Sequence, residues 1–112
     1  MSRVIEILLY TLKPGTGGEF HRIMQEISVP LHRKVGMDVV AYGNSLHDPD
    51  AYYLIRSYDS LDHLGSSQDA FYKSEAWRNG PRVDIIERIS TSLKSVVSLS
   101  PEAIDELRRS GL

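Results

Sequence analysis

Arg3-Val4-Ile5-Glu6-Ile7-Leu8-Leu9-Tyr10-Thr11-Leu12-Lys13-Pro14-Gly15 carries an apolar strand into a strand-to-helix junction. β-branched, aliphatic and aromatic residues fill it up to Tyr10, and Pro14-Gly15 then stops ladder pairing and lets the chain turn. Thr16, with Glu19 three residues later, has the form of a capping box, so a helix is expected at once. Side chains alternate along a strand, so Ile5, Ile7 and Leu9 share one face and Val4, Glu6, Leu8, Tyr10 and Leu12 the other. Both faces are mainly apolar.

Working outward, Phe20, Ile23, Met24, Ile27 and Leu31 recur at helical spacing opposite Glu19, Arg22, Gln25 and Glu26. Pro30 is expected to kink or end this helix. A second strand is expected over 37–42, closed by Gly43-Asn44 and the turn His47-Asp48-Pro49-Asp50. A third follows over 51–58, and the two pair most simply as an antiparallel hairpin. Between 59 and 80, Gly65-Ser66-Ser67 is expected to divide two short helical pieces. Ser60 would cap the first and Ser67 the second, with Phe71, Tyr72 and Trp77 making apolar contacts. Residues 83–89 read as helix and 90–99 as the last strand, with Thr91, Leu93, Ser95, Val97 and Leu99 on one face. Ser100-Pro101-Glu102 then opens a final helix that should end near Gly111.

Strand, helix, strand, strand, helix, strand is the order of a ferredoxin-like α+β sandwich, here with a short C-terminal helix, and residues 1–112 form one domain. One layer of helices covers one face of such a sheet. The other would expose on the order of 600 Å² or more of apolar surface, more than a soluble monomer usually tolerates. A homodimer in which a second subunit covers that face is therefore expected.

Composition narrows the function. The net charge is −2 and basic residues are interleaved with acidic ones, so neither a nucleic-acid stripe nor a membrane anchor is expected. The absence of cysteine excludes disulfides, thiolate metal sites, iron–sulfur clusters and cysteine nucleophiles. The first twenty residues lack the uncharged apolar core of a signal peptide, which makes a cytoplasmic location the expectation.

Glu6, the junction Tyr10-Thr11-Leu12-Lys13-Pro14-Gly15, Phe20, the strand Tyr53-Leu54-Ile55-Arg56-Ser57-Tyr58 with Asp59-Ser60-Leu61, and Phe71-Tyr72-Lys73-Ser74-Glu75-Ala76-Trp77 together resemble the NIPSNAP family. The resemblance spans residues 3 to about 80 and implies membership of the dimeric α+β barrel superfamily. Two ferredoxin-like subunits would then close their sheets into a barrel, with a cleft between sheet and helices in each. Relatives in that superfamily include cofactor-free oxygenases, isomerases and haem-degrading enzymes, so the fold does not select a reaction. The arginine that the family often carries two residues before the junction tyrosine is Leu8 here.

Candidate residues divide between structural and binding roles. Arg56, inside an apolar strand, either pairs with Glu6 or presents its guanidinium to a ligand carboxylate or carbonyl. Trp77 either walls a pocket for a planar ligand or packs in the core. Tyr10 and Tyr42 either donate hydrogen bonds to a bound carbonyl or reach the edge of the fold with their hydroxyls. His63 is the first candidate for a general base, or an exposed helix histidine. His21, His32, His47 and His63 occur singly, so no metal site is expected, and no haem pattern or phosphate loop is present to imply a cofactor. The favoured reading is a homodimer that binds a small hydrophobic carbonyl compound in the cleft, with no turnover evident. A cofactor-independent monooxygenase or isomerase acting on an aromatic or polyketide-like substrate is the alternative.

Overall fold

The computed structural model describes residues 1–110. Its central strand is the stretch quoted above, β1 (Arg3–Leu12), which pairs antiparallel with β3 (Ala51–Tyr58) on one edge and β4 (Ile89–Leu99) on the other. β2 (Asp38–Asn44) extends the sheet on the far side of β3, in the order β2-β3-β1-β4. Register places Glu6 opposite Arg56, Ile7 opposite Ile55 and Tyr10 opposite Tyr52. This is the ferredoxin-like α+β arrangement expected from the element order.

Helices α1 (Gly17–Ile23) and α2 (Val29–Lys34) cover one face of the sheet together with α3 (Leu61–Lys73), α4 (Glu75–Arg78) and α5 (Arg82–Ile86). The core between the layers holds Leu8, Leu12, Phe20, Leu54, Phe71 and Trp77. Phe20 is wholly buried, a burial that contributes on the order of 2–3 kcal/mol.

The first helix starts differently from expectation. Thr16 caps no backbone donor; its hydroxyl donates to the Lys13 carbonyl at 2.7 Å, and Glu19 is engaged by Arg22. The cap comes from the β2–β3 turn instead, where the Asp50 carboxylate accepts from the backbone N–H groups of Gly15 and Gly17, each at 2.9 Å. That approach requires glycine at 17, since a Cβ there would lie 1.8 Å from the Pro49 carbonyl oxygen.

Pro30 does not end the helix. Between α1 and α2 the backbone widens into a π-helical turn over Met24–Ser28, and the Val29 N–H bonds back to the Met24 carbonyl. An α-helical path would leave the Glu26 carbonyl without a donor and in collision with the proline ring; the wider turn opens that spacing. The extra residue shifts the phase of the apolar face. Val29 and His32 turn inward, while Ile27, expected in the core, is 41% exposed and Leu31 only half-buried.

Gly65-Ser66-Ser67 does not divide a helix either. Ser60 caps α3 as expected, accepting from His63 N–H at 3.0 Å, and α3 then runs unbroken to Lys73. One exposed glycine costs a helix about 1 kcal/mol, which the packing of Phe71 offsets. The restart falls at Ser74, whose hydroxyl accepts from Trp77 N–H at 3.2 Å, rather than at Ser67.

α6 (Pro101–Ser110) opens on the expected cap, with Ser100 Oγ accepting from Ala103 N–H at 3.1 Å; the Gly111 expected to close it lies outside the described residues. α6 folds back under the second sheet face, where Ile104 packs on Ile5, Val40, Ala41 and Ile55, and Arg108 reaches Asp38 at 2.7 Å. That face is therefore covered in part by the chain itself. Its remaining apolar surface includes Leu9 and Leu93, 50% and 69% exposed, together with Val97.

Candidate functional site

Glu6 and Arg56 face each other across β1 and β3, and both are buried. Arg56 donates to Glu6 Oε1 from Nε at 2.9 Å and from Nη2 at 2.5 Å. Its Nη1 donates to the Tyr72 hydroxyl at 2.8 Å and to His32 Nε2 at 3.1 Å. Glu6 Oε2 accepts from Gln68 Nε2 at 2.7 Å, and Lys94 Nζ stands 3.4 Å away. Of the two roles open to Arg56 in the sequence, this geometry satisfies the internal one completely: every nitrogen of the guanidinium has a partner inside the fold.

The charges follow from this network. Burial opposes the Glu6 carboxylate, but Arg56, the Gln68 hydrogen bond and Lys94 outweigh it and hold the group below its ordinary pKa. His32 donates from Nδ1 to the Ser28 carbonyl at 2.7 Å, which leaves Nε2 as the acceptor for Arg56 and the imidazole neutral. Burial is the main reason its pKa is lowered to about 4, and the Arg56 charge adds to it.

Tyr72 connects this network to an open space. A cavity of about 460 Å³ between sheet and helices is lined by Tyr10, Tyr72, Trp77, Arg82, Ile85, Ile86 and Ile89. The break at Ser74 turns the chain so that Trp77 packs back against Phe71 and Tyr72, with ring centroids 5.3 and 5.2 Å apart. Gly80 permits the turn into α5, because a Cβ there would lie 2.3 Å from the Ala76 carbonyl oxygen. Tyr10 enters from β1, its ring edge-on to Phe20 at 5.9 Å. The Tyr10 hydroxyl has no hydrogen-bond partner among the described residues. Burial, and next the neighbouring Tyr72, push its pKa well above that of an ordinary phenol, so it stays protonated and able to donate. The Tyr72 hydroxyl accepts from Arg56, which leaves its O–H as a donor on the cavity wall.

Two of the expected site residues, Tyr10 and Trp77, thus meet on one cavity, and Arg56 stands behind it through Tyr72. Tyr42 lies elsewhere, beside the His21 ring at 6.0 Å. His63 also lies elsewhere: its Nδ1 accepts from Asp59 N–H at 2.9 Å, and its ring lines a separate space of about 350 Å³ with Met37, Ser66 and Phe71. It does not meet Tyr10 or Arg56 on a shared cavity. Tyr72 and Arg82 were not singled out by the sequence as site residues. The spacing of Gln68 and Tyr72, one helical turn apart, was the available signal, since it puts two polar groups on the face that meets Arg56. Among the described residues no three His, Asp or Glu side chains gather as metal ligands, and no helix is long and apolar enough to cross a membrane.

The NIPSNAP family model matches residues 5–101. Among solved structures, an uncharacterised NIPSNAP-like domain protein from Burkholderia xenovorans superposes with a TM-score of 0.77 at 16% identity, over 85% of this chain and 83% of its own. A NIPSNAP family protein of unknown function from Agrobacterium tumefaciens gives 0.77 at 18%, over 88% of each chain. A protein of Nitrosomonas europaea whose assignment as an antibiotic biosynthesis monooxygenase is provisional gives 0.61 at 13%, over 87% of this chain and 96% of its own. At these identities the likeness is one of fold. No curated protein matches the chain.

Proposed function

We propose, from the premise that the chain belongs to the NIPSNAP family, that it is a homodimer binding a small hydrophobic carbonyl compound in the cleft between its sheet and helices. The observation that carries this reading is the pair of phenols, Tyr10 and Tyr72, on one apolar, aromatic-walled cavity, neither O–H having an acceptor among the described residues. A carbonyl oxygen has two lone pairs and no proton, so it is the neutral group that two such donors suit. Arg56 strengthens the Tyr72 donor by holding its oxygen in a charge-assisted bond. Trp77, Ile85, Ile86 and Ile89 supply the apolar walls.

Turnover would draw on the same two phenols to stabilise an enolate oxygen, as an oxygenase or isomerase requires. It would also require a base, and the cavity is lined by neither histidine nor carboxylate. Binding is therefore the preferred reading. The dimer part of the proposal is supported by the open part of the second sheet face, where Leu9, Leu93 and Val97 are exposed. Light scattering at micromolar concentration should give twice the chain mass, and a monomer that persists without aggregation would remove this part of the proposal.

Butyrophenone, an aromatic ketone with a short alkyl chain, tests the binding site. It should quench the single tryptophan, Trp77, saturably. Tyr10→Phe and Tyr72→Phe should each weaken binding about tenfold, the effect of one lost hydrogen bond of roughly 1.4 kcal/mol. Equal affinity in the wild type and in both variants would refute the carbonyl site.

A further inference from the structure

Among the described residues, Arg82 is the one charged side chain lining the Tyr10–Tyr72 cavity. It makes no hydrogen bond or ion pair among the described residues. The two acids nearest to it along the chain, Asp84 and Glu87, are already engaged by Arg88, whose Nη1 lies 3.8 Å from Asp84 and 3.2 Å from Glu87. Both of these carboxylates lean toward another cation, and Arg82 is exposed, so its planar fork of donors is open to a ligand in the cavity. Arg56 offers the contrast, since all of its donors are spent inside the fold. The guanidinium legible in the sequence is therefore closed; Arg33, Arg78 and Arg82 make no side-chain hydrogen bond or ion pair among the described residues, and of these Arg82 stands on the wall of the cavity.

From this we infer that the ligand is an amphipathic keto acid, its carbonyl oxygen held by the Tyr10 and Tyr72 hydroxyls and its carboxylate held by Arg82 at the other end of an apolar body. This rests on the carbonyl reading above and adds the charge of the ligand to it. The planar fork of a guanidinium matches a carboxylate with two parallel N–H···O bonds, whereas it gains little from an ester of the same shape. The other residues lining the cavity are Trp77, Ile85, Ile86 and Ile89, which suit an apolar or aromatic segment of the ligand. No bond is made or broken in this assignment; it is one of recognition.

β-Benzoylpropionate, its methyl ester and butyrophenone share an aryl ketone and differ at the far end, so calorimetric titration of the intact protein with the three separates the two ideas. The acid is expected to bind about tenfold tighter than the ester at low salt, with the advantage shrinking as ionic strength rises. Arg82→Gln, an exposed substitution that leaves the fold intact, is expected to abolish that advantage while leaving butyrophenone affinity within about twofold. Butyrophenone binding with no preference for the acid, or a preference that survives Arg82→Gln, would overturn the keto-acid inference and leave the carbonyl site standing. Failure of butyrophenone to bind, with the phenol variants indistinguishable from wild type, would overturn the carbonyl site and this inference with it.

Discussion

Two polar regions lie on the helix-covered side of this sheet, and they differ in one respect. Around Arg56, donors and acceptors are matched within the fold: Glu6, His32, Tyr72 and Gln68 leave no buried polar side-chain atom unpaired. In the neighbouring cavity, and among the described residues, the Tyr10 hydroxyl has no hydrogen-bond partner, the Tyr72 O–H has no acceptor and Arg82 makes no hydrogen bond or ion pair. Tyr72 belongs to both. A closed network stabilises and specifies the fold, and an open one beside empty apolar volume is available to a ligand. The most conspicuous charge in the strands, Arg56, has all its nitrogens satisfied inside the fold.

The largest effects should come from breaking the closed region. Arg56→Met or Glu6→Gln strands a buried partner, and each should cost about 3–5 kcal/mol in urea unfolding. The double variant should recover much of that loss. Full additivity of the two single losses would mean that the pair does not act as a unit.

The pH dependence of stability gives a smaller, separable effect. His32 has a folded pKa of about 4, below its ordinary value of 6.5, so between those values the unfolded chain binds the extra proton. Its contribution is full above the unfolded pKa and is lost as pH falls through this window. Stability should drop by about 1 kcal/mol from pH 7 to pH 5.5, above the range in which Glu6 and Asp38, both held below their ordinary values, begin to titrate. His32→Gln should flatten that slope. An unchanged slope would show that His32 is not the group responsible.

The smallest stability effect should come from the shared residue. Tyr72→Phe takes one acceptor from Arg56 Nη1, which keeps His32 Nε2 at 3.1 Å, so unfolding should change by about 1 kcal/mol or less. A loss as large as that of Arg56→Met would place Tyr72 wholly in the closed network and take it out of the ligand site.

How much of this was legible depends on how local the signal was. Strand patterning placed β1, β3 and β4, and the alternation that set Glu6 on the inner face also pointed to Arg56, because ladder pairing needs only period two. His32 was hidden by the π-helical turn, whose extra residue moved it from an outer to an inner position, and no helical-period reading anticipates such a turn. The Asp50 cap was hidden for a related reason: it joins residues 35 and 33 positions apart, while the sequence offered a local substitute in Thr16 and Glu19. Tyr10 and Trp77, expected from the sequence as ligand-binding residues, both line the cavity, but the cavity itself depends on the break at Ser74 and the turn at Gly80, which bring Tyr72 and Arg82 to its wall. His63 was chosen for its intrinsic basicity. Its place at the start of α3, bonded to the Asp59 backbone and with the Ser60 cap beside it, lies away from the Tyr10–Tyr72 cavity.

If two phenols hold one carbonyl oxygen, the carbonyl itself reports it. Butyrophenone labelled with ¹³C at the ketone carbon should show, when bound to the wild-type protein, a resonance moved downfield of its position in an apolar solvent. The displacement should shrink in Tyr10→Phe, shrink in Tyr72→Phe and vanish in the double variant. A bound ketone whose carbonyl resonance matches that in hydrocarbon, or one whose displacement survives removal of both hydroxyls, would contradict the account.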